Sequence, residues 1–258
     1  MTPDERGVSE VLSYILVFSV VTVTIAFVLG NGVGAVTSTQ QNARVDAATS
    51  GVAILDKSVQ TVYQTGVPRR ATELKPNGGT LSIGGQFDVD VGISRNGTSL
   101  FSYSRVSSRF THTIDDQSVG LALGARFRSG PGRVAMIDDP PFLFNESRTN
   151  LPLVLFTGAD SVSTGSPVQV VASSGAERLL AHRSKNSPYT VEIRIETTPA
   201  RAAAWDRYFQ RENLTAVSGE ESPTAVDGEN DPANGVVVYK HQTERVIIQR
   251  FTVDLSLR

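Results

Sequence analysis

The sequence predicts an α+β protein, with a long N-terminal transmembrane helix that extends into an amphipathic helix packed on a mostly antiparallel β head domain. Three observations indicate this class. Residues 11–29 carry no charge, apolar residues recur at helical spacing over 45–62, and apolar and polar residues alternate from residue 87 onward. The predicted segments are a leader at 1–7, a transmembrane helix at 8–36, an amphipathic helix at 37–66 and the β head at 67–258.

Composition limits the classes of function. The 258 residues are 40% hydrophobic, which is enough for a core, and the net charge of -2 gives no basic surface for nucleic acid. We therefore expect no nucleic-acid partner. The absence of cysteine excludes disulfide bonds, thiolate zinc sites and cysteine nucleophiles.

The first apolar run is long. Val11 to Leu29 has no charged residue, and the next charge is Arg44. A helix of roughly 20 apolar residues spans a bilayer, whereas the apolar part of a secretory signal is about 7–15 residues. A membrane helix is therefore the interpretation. A signal peptide cleaved near Val33-Gly34-Ala35 and a buried helix of a soluble protein are the alternatives.

The junction before this run carries a resemblance. Arg6-Gly7-Val8-Ser9, followed directly by the apolar run, resembles the cleavage site of archaeal prepilins, and VSEVLSYILVF resembles haloarchaeal type IV pilin-like proteins. The resemblance covers about residues 4–30. It implies that a prepilin-type peptidase cuts on the cytoplasmic side, after Gly7, so that Arg6 precedes the cut and Val8 becomes the new N-terminus.

Glu10 is the one charge at the edge of the apolar run. It would be the third residue of the processed chain, whereas the type IV pilin glutamate is the fifth. We predict that Glu10 pairs with the new terminal amine and sets the register of assembly; the alternative is that it reaches to the membrane interface. Gly30 and Gly34 form a small-xxx-small pair, which predicts either close helix packing or a flexible helix exit.

The second helical segment has one apolar seam. Its spacing of 3, 4, 3, 4 and 3 residues predicts an amphipathic helix. The seam is shorter than three heptads, which favours a helix lying on a sheet over a coiled coil. The seam consists of Val45, Ala48, Val52, Leu55, Val59 and Val62.

The head is predicted to be a sandwich or a curved sheet. Phe87 to Ile93 alternate, and Asn96-Gly97 predicts a hairpin turn. Thr198 and Pro199 predict the start of a helix near 199–212, whose aromatic face buries Trp205. Further strands are predicted within 119–127, 133–137, 153–156, 168–172, 191–195, 236–239 and 246–257.

The sequence gives no catalytic or metal motif. His112, His182 and His241 lie far apart, and no GxSxG elbow occurs. Asp227 and its neighbours Glu229 and Asp231 resemble the start of a calcium loop, but Pro232 replaces the turn glycine. A solvated acidic loop at 220–231 is favoured over a cation site. We therefore expect no enzyme activity, no metal and no cofactor. An anchored enzyme is the third hypothesis, which a cleft uniting groups such as His112 and Asp115 would favour.

Three N-x-S/T sequons, at Asn96, Asn145 and Asn213, are candidate glycosylation sites and favour an extracytoplasmic head. The predicted function is a membrane-anchored pilin-like subunit that assembles through its apolar helix into a surface filament or pilin-like complex. Its expected partners are the membrane, a prepilin-type peptidase and other pilin-like subunits, and its expected location is the cell membrane with the C-terminal domain outside. The alternative is a single-pass anchored binding domain that does not polymerise.

Overall fold

A computed structural model describes the backbone of residues 4–218 and 226–258. Side chains are described for these residues except 4–10, 28–39 and 185–187. The chain divides into two compact units, Met1–Asp46 and Ala47–Arg258. Two α-helices, α1 (Asp4–Thr65) and α2 (Pro199–Arg211), and a 3-10 turn at Pro232–Asn234 accompany the strands. The strands are β1 (Arg69–Leu74), β2 (Thr80–Arg95), β3 (Thr98–Ile114), β4 (Gln117–Ala122), β5 (Ala125–Gly130), β6 (Arg133–Asp138), β7 (Leu143–Phe144), β8 (Thr149–Thr157), β9 (Asp160–Val162), β10 (Val168–Glu196), β11 (Thr215–Ala216) and β12 (Val236–Leu257).

The predicted fold class is wrong. Among the residues whose side chains the structure describes, strands hold 54% and helices 26%, so this part of the protein is mostly β. Within the described residues, no helix combines the length and the apolar character needed to cross a membrane. The prediction of a transmembrane helix at 8–36, and of a pilin-type membrane protein built on it, is corrected accordingly.

The strands form a single sheet instead of a sandwich. Its order is β6-β5-β4-β3-β2-β10-β12-β8-β7, with β1, β9 and β11 pairing at its sides. The neighbours are antiparallel except β8 and β12, which run parallel. A bridge between Ser108 of β3 and Phe156 of β8 joins the two sides of this path. The strands β3, β2, β10, β12 and β8 therefore close into a circuit.

A bulge in β2 changes the face on which its apolar residues lie. The register moves from Gly84↔Arg109 to Phe87↔Ser107, so β2 has one residue more than β3 between these pairs. One extra residue turns the following side chains to the opposite face. Ile83 before the bulge consequently packs in one core cluster and Phe87 after it packs in the other. Because of the bulge, the single strand β2 contributes side chains to both core clusters.

Two apolar clusters flank the sheet. Strand β8 supplies alternate residues to both, with Leu153 in one and Val154 in the other, so both of its faces are buried. This explains its continuous apolar sequence LPLVLF. The first cluster packs α2 against the sheet. The second packs the α1 residues Val52, Leu55, Val59 and Val62 against strands.

The helical patterns read from the sequence match this packing. All six residues of the predicted seam in α1 are buried, and four of them lie on the sheet. The predicted helix near 199–212 is α2, and Trp205 is buried on its inner face. Thr198 occupies the N-cap position with extended backbone, but its side chain makes no capping hydrogen bond. The Asn96-Gly97 turn joins β2 to β3, with Asn96 at a φ of 49°.

Candidate functional site

The first part of α1 exposes a predominantly apolar surface without charged residues, here called the apolar segment (residues 11–27). Phe18 is 63% exposed, and the large apolar side chains on every side of the helix are similarly open. Consecutive helical residues point about 100° apart, so this exposure surrounds the helix instead of forming a stripe. Its large exposed residues are Val11, Leu12, Tyr14, Ile15, Leu16, Val17, Phe18, Val20, Val21, Val23, Ile25 and Phe27.

Two threonine hydroxyl groups within the apolar segment are hydrogen-bonded to the helix itself. Thr22 Oγ1 donates to the carbonyl oxygen of Phe18 at 2.8 Å, and Thr24 Oγ1 donates to that of Val20 at 2.7 Å. A hydroxyl that is already hydrogen-bonded costs much less to remove from water than a free one. These two threonines therefore do not oppose burial of the segment against another apolar surface.

The predicted processing and assembly residues lie within α1. Arg6, Gly7, Val8 and Glu10 precede the apolar segment, and their side chains fall outside the described part of the structure. The same is true of the surroundings of Gly30 and Gly34. The proposed cut after Gly7, the role of Glu10 and the packing role of the two glycines stay predictions.

The three sequons are placed at turns. Asn96 is exposed in the β2–β3 hairpin. Asn145 is exposed, and its Oδ1 accepts hydrogen bonds from the Arg148 N–H and the Ser147 hydroxyl. Asn213 follows α2 at a φ of 59° and lines a polar cleft of about 660 Å³ with Glu192, Lys240 and His241. Glycosylation at these positions stays a prediction.

The structure does not gather the histidines or the acidic pairs into a site. His112 is buried, its Nε2 lies 3.1 Å from the Pro76 carbonyl oxygen, and burial lowers its pKa below the ordinary value. Asp138 and Asp139 pair with Arg126 and Arg211, respectively. Among the described residues, no group of three or more histidine and acidic side chains is placed to hold a metal ion. Residues 219–225 of the acidic stretch lie outside the described residues.

A second cleft contains two arginines and has a volume of about 620 Å³. Arg109 of β3 and Arg201 of α2 line it, next to the Gly84-Gly85 bulge of β2. Gly85 has a φ of +58°, and a Cβ atom on it would lie 2.5 Å from the Arg109 guanidinium carbon. Only a glycine lets the backbone approach this guanidinium so closely in that conformation. The bulge therefore shapes the wall of the cleft that we call the arginine cleft.

The two arginines of this cleft interact unfavourably. Burial, and then the positive charge of Arg109, lower the pKa of Arg201 to about 10. Burial also lowers the pKa of Arg109. The Arg201 guanidinium lies over the Phe127 ring at 5.5 Å from its centroid. Both groups stay positively charged at neutral pH, so the cleft concentrates positive charge.

Comparison with known protein families identifies one that includes this chain. The sequence model of the family described as "Family of unknown function (DUF7289)" matches residues 6–256. The chain belongs to the DUF7289 family. The match begins in α1 and ends in β12, so the long helix and the sheet are both included in the matched region. No protein with a curated description matches the chain.

One solved structure resembles the DUF7289 chain weakly. The crystal structure of the ywiB protein from Bacillus subtilis is 11% identical, with 46% of this chain and 85% of that chain covered. Its TM-score is 0.17, so the likeness supports no conclusion about fold or function.

Sequence reasoning missed the arginine cleft of this DUF7289 protein. Arg109 and Arg201 lie far apart in sequence and show no shared pattern. The available signal was Gly84-Gly85 within a strand pattern, because glycines inside a strand often mark a bulge or a close backbone approach. It would have located the bulge in β2 but not the second arginine.

Asp56 lies off the apolar seam of α1 but is nevertheless buried. The structure leaves it only 7% exposed, with its Oδ2 accepting a hydrogen bond from Gln60 Nε2 at 3.0 Å. Burial raises its pKa to about 6; the positive charge of Arg126 opposes the rise and the negative charge of Asp138 adds to it. The folded protein thus holds this proton more tightly than the unfolded chain.

The raised pKa predicts how stability depends on pH. The contribution of Asp56 is full below the unfolded pKa of about 4 and is lost as pH rises through about 6. We expect Asp56→Asn to raise the free energy of unfolding at pH 7.5 by about 1–2 kcal/mol, because the amide keeps the shape without a charge. Urea unfolding at pH 4.5 and 7.5 measures the pH dependence of the free energy of unfolding and the effect of Asp56→Asn on it. Asp227→Asn, at an exposed position, serves as the control. A variant less stable than wild type at pH 7.5 would contradict the assignment.

Proposed function

We propose that this protein is the subunit of a homo-oligomeric assembly held together by the apolar segment. The partner is a second copy of the chain, and the segments pack side by side as a helical bundle. The observation that carries the proposal is the exposure of the segment on all sides. The unit Ala47–Arg258, here called the β unit, then serves as the folded domain of each subunit in the assembly.

The hydrophobic effect supports association. Monomeric proteins rarely expose a contiguous apolar surface of this extent. Complete burial of a large apolar side chain stabilises by about 1.5–3 kcal/mol, and the segment has twelve such side chains. One flat partner surface would cover a single side of the helix. Several neighbouring helices cover all sides, and this favours a bundle over a pair.

The charge pattern favours identical partners. No charged residue occurs between Val11 and Arg44, so copies lying in parallel meet no like charges over the apolar segment. Thr22 and Thr24 bond to their own backbone and need no partner from outside. Identical segments are therefore compatible in both polarity and charge.

A charge placed in the segment tests the proposal. We expect Phe18→Arg to shift the purified full-length chain from oligomer towards monomer in sedimentation velocity, with association weakened at least ~10-fold. An unpaired charge buried between apolar helices costs several kcal/mol, whereas it is solvated in a monomer.

Ile54→Arg is the matched control, because Ile54 lies on the same helix and is 58% exposed outside the apolar segment. We expect this variant to associate like the wild type. Three results would overturn the proposal: a monomeric wild-type chain, equal dissociation of the two variants, or entry of the chain into lipid vesicles as a monomer.

A further inference from the structure

The arginine cleft holds two positive charges that the protein leaves without partners. Neither the Arg109 nor the Arg201 guanidinium makes a hydrogen bond or an ion pair with any described residue, and Arg201 Nη1 is buried without an acceptor. Buried guanidinium N–H groups are normally hydrogen-bonded. Elsewhere the fold supplies carboxylates, since Arg194 pairs with Asp90 at 2.8 Å and Arg211 pairs with Asp139. The missing acceptors point to an external anion.

Each guanidinium of the cleft has a close neighbour. The backbone at Gly85 runs beside the Arg109 guanidinium, whose carbon would lie 2.5 Å from a Cβ atom at this position. Arg201 rests on the Phe127 ring, a cation–π contact that orients its plane. Like charges held together in this way repel each other, and an anion between them would remove the repulsion.

Other polar residues line the cleft and indicate which kind of anion it can hold. Thr111 and Ser118 also line the cleft, and their hydroxyls are neutral hydrogen-bond donors, whereas the Ser82 hydroxyl donates to the Thr111 carbonyl oxygen at 3.5 Å. Asp160 also lies there, but its carboxylate accepts from the Ser161 N–H at 2.8 Å and the Leu257 N–H at 3.2 Å. It is therefore bound to backbone and leaves the arginines unpaired.

We infer that the arginine cleft binds a tetrahedral oxyanion, the phosphate or sulfate group of a small molecule, between Arg109 and Arg201. Each guanidinium presents two parallel N–H groups, a geometry that matches phosphate oxygens. A carboxylate has two oxygens and is satisfied by one such fork, whereas phosphate and sulfate have enough oxygens for two forks and the hydroxyls. This inference does not depend on assembly through the apolar segment.

Calorimetric titration of the full-length chain with inorganic phosphate, sulfate and glycerol 3-phosphate, at constant ionic strength in chloride, tests the inference. We expect one site per chain for phosphate or sulfate. Arg109→Gln should weaken binding about 10- to 100-fold, since a hydrogen bond to a charged group is lost. Arg178→Gln, an exposed arginine of β10 outside the cleft, should leave binding unchanged.

Thermal unfolding in phosphate-free buffer separates binding from stability. Arg109→Gln should keep the wild-type unfolding midpoint or raise it, because it removes the repulsion towards Arg201, and phosphate should raise the midpoint of wild type more than that of the variant. Binding of the inorganic ions alone would assign the site to a free ion, and binding of glycerol 3-phosphate as well would assign it to an esterified group; both support the inference. No binding of any probe, or equal loss of binding in Arg178→Gln, would overturn it.

Discussion

Replacement of Trp205 by alanine is expected to lower the free energy of unfolding by about 3–5 kcal/mol. Trp205 is 2% exposed and lies at the centre of an aromatic cluster between α2 and the sheet. Its ring meets Phe127 at 5.5 Å, Phe209 at 5.7 Å and Tyr208 at 5.9 Å between centroids. Truncation removes these contacts and leaves a cavity that the surrounding strands cannot fill by small movements.

Denaturant unfolding followed by circular dichroism measures this loss. Leu179→Ala is the control, because Leu179 is also a large apolar residue of the β unit but is 56% exposed. Its expected effect is within about 0.5 kcal/mol. If Trp205→Ala cost no more than the control, the cluster under α2 would not be the core that we describe.

Helices, strands and turns were predicted correctly where the pattern that specifies them lies within a short stretch of sequence. The seam from Val45 to Val62 and the alternation of Phe87 to Ile93 follow from the repeat lengths of helix and strand, and these residues are buried as predicted. Asn96-Gly97 predicted its hairpin because both residues tolerate a positive φ. In each case the information lies within a few neighbouring residues.

The architecture of the sheet depends on contacts between distant residues. The parallel pairing of β8 with β12 and the bridge from Ser108 to Phe156 join strands that are remote in sequence. No periodicity within either strand specifies its partner. The sandwich was therefore a reasonable alternative from sequence, and only the observed strand order excludes it.

The apolar segment and the arginine cleft also differ in how far they could be predicted from sequence. The apolar segment is continuous in sequence, so it was recognised, although its interpretation as a transmembrane helix was wrong. The arginine cleft is assembled by the bulge at Gly84-Gly85 and by the packing of α2, which brings Arg201 to Arg109. Because that meeting is a product of tertiary structure, composition and spacing gave no sign of it.

Assembly through the apolar segment predicts direct contact between equivalent residues of neighbouring copies. In a parallel bundle, the same residue of adjacent helices lies at the same height. The chain has no cysteine, so a single introduced cysteine reports on its own position alone. A disulfide forms only when two Cα atoms come within about 7 Å, which makes it a strict test of contact.

Oxidative cross-linking of the full-length single-cysteine variants Phe18→Cys and Val17→Cys tests this contact, and Ile54→Cys is the exposed control on the same helix. Positions 17 and 18 point about 100° apart, so a bundle that covers the segment on all sides predicts disulfide-linked dimers for both. The Ile54→Cys chain should stay monomeric on a non-reducing gel. Monomers at positions 17 and 18, or equal cross-linking at position 54, would contradict assembly through the apolar segment.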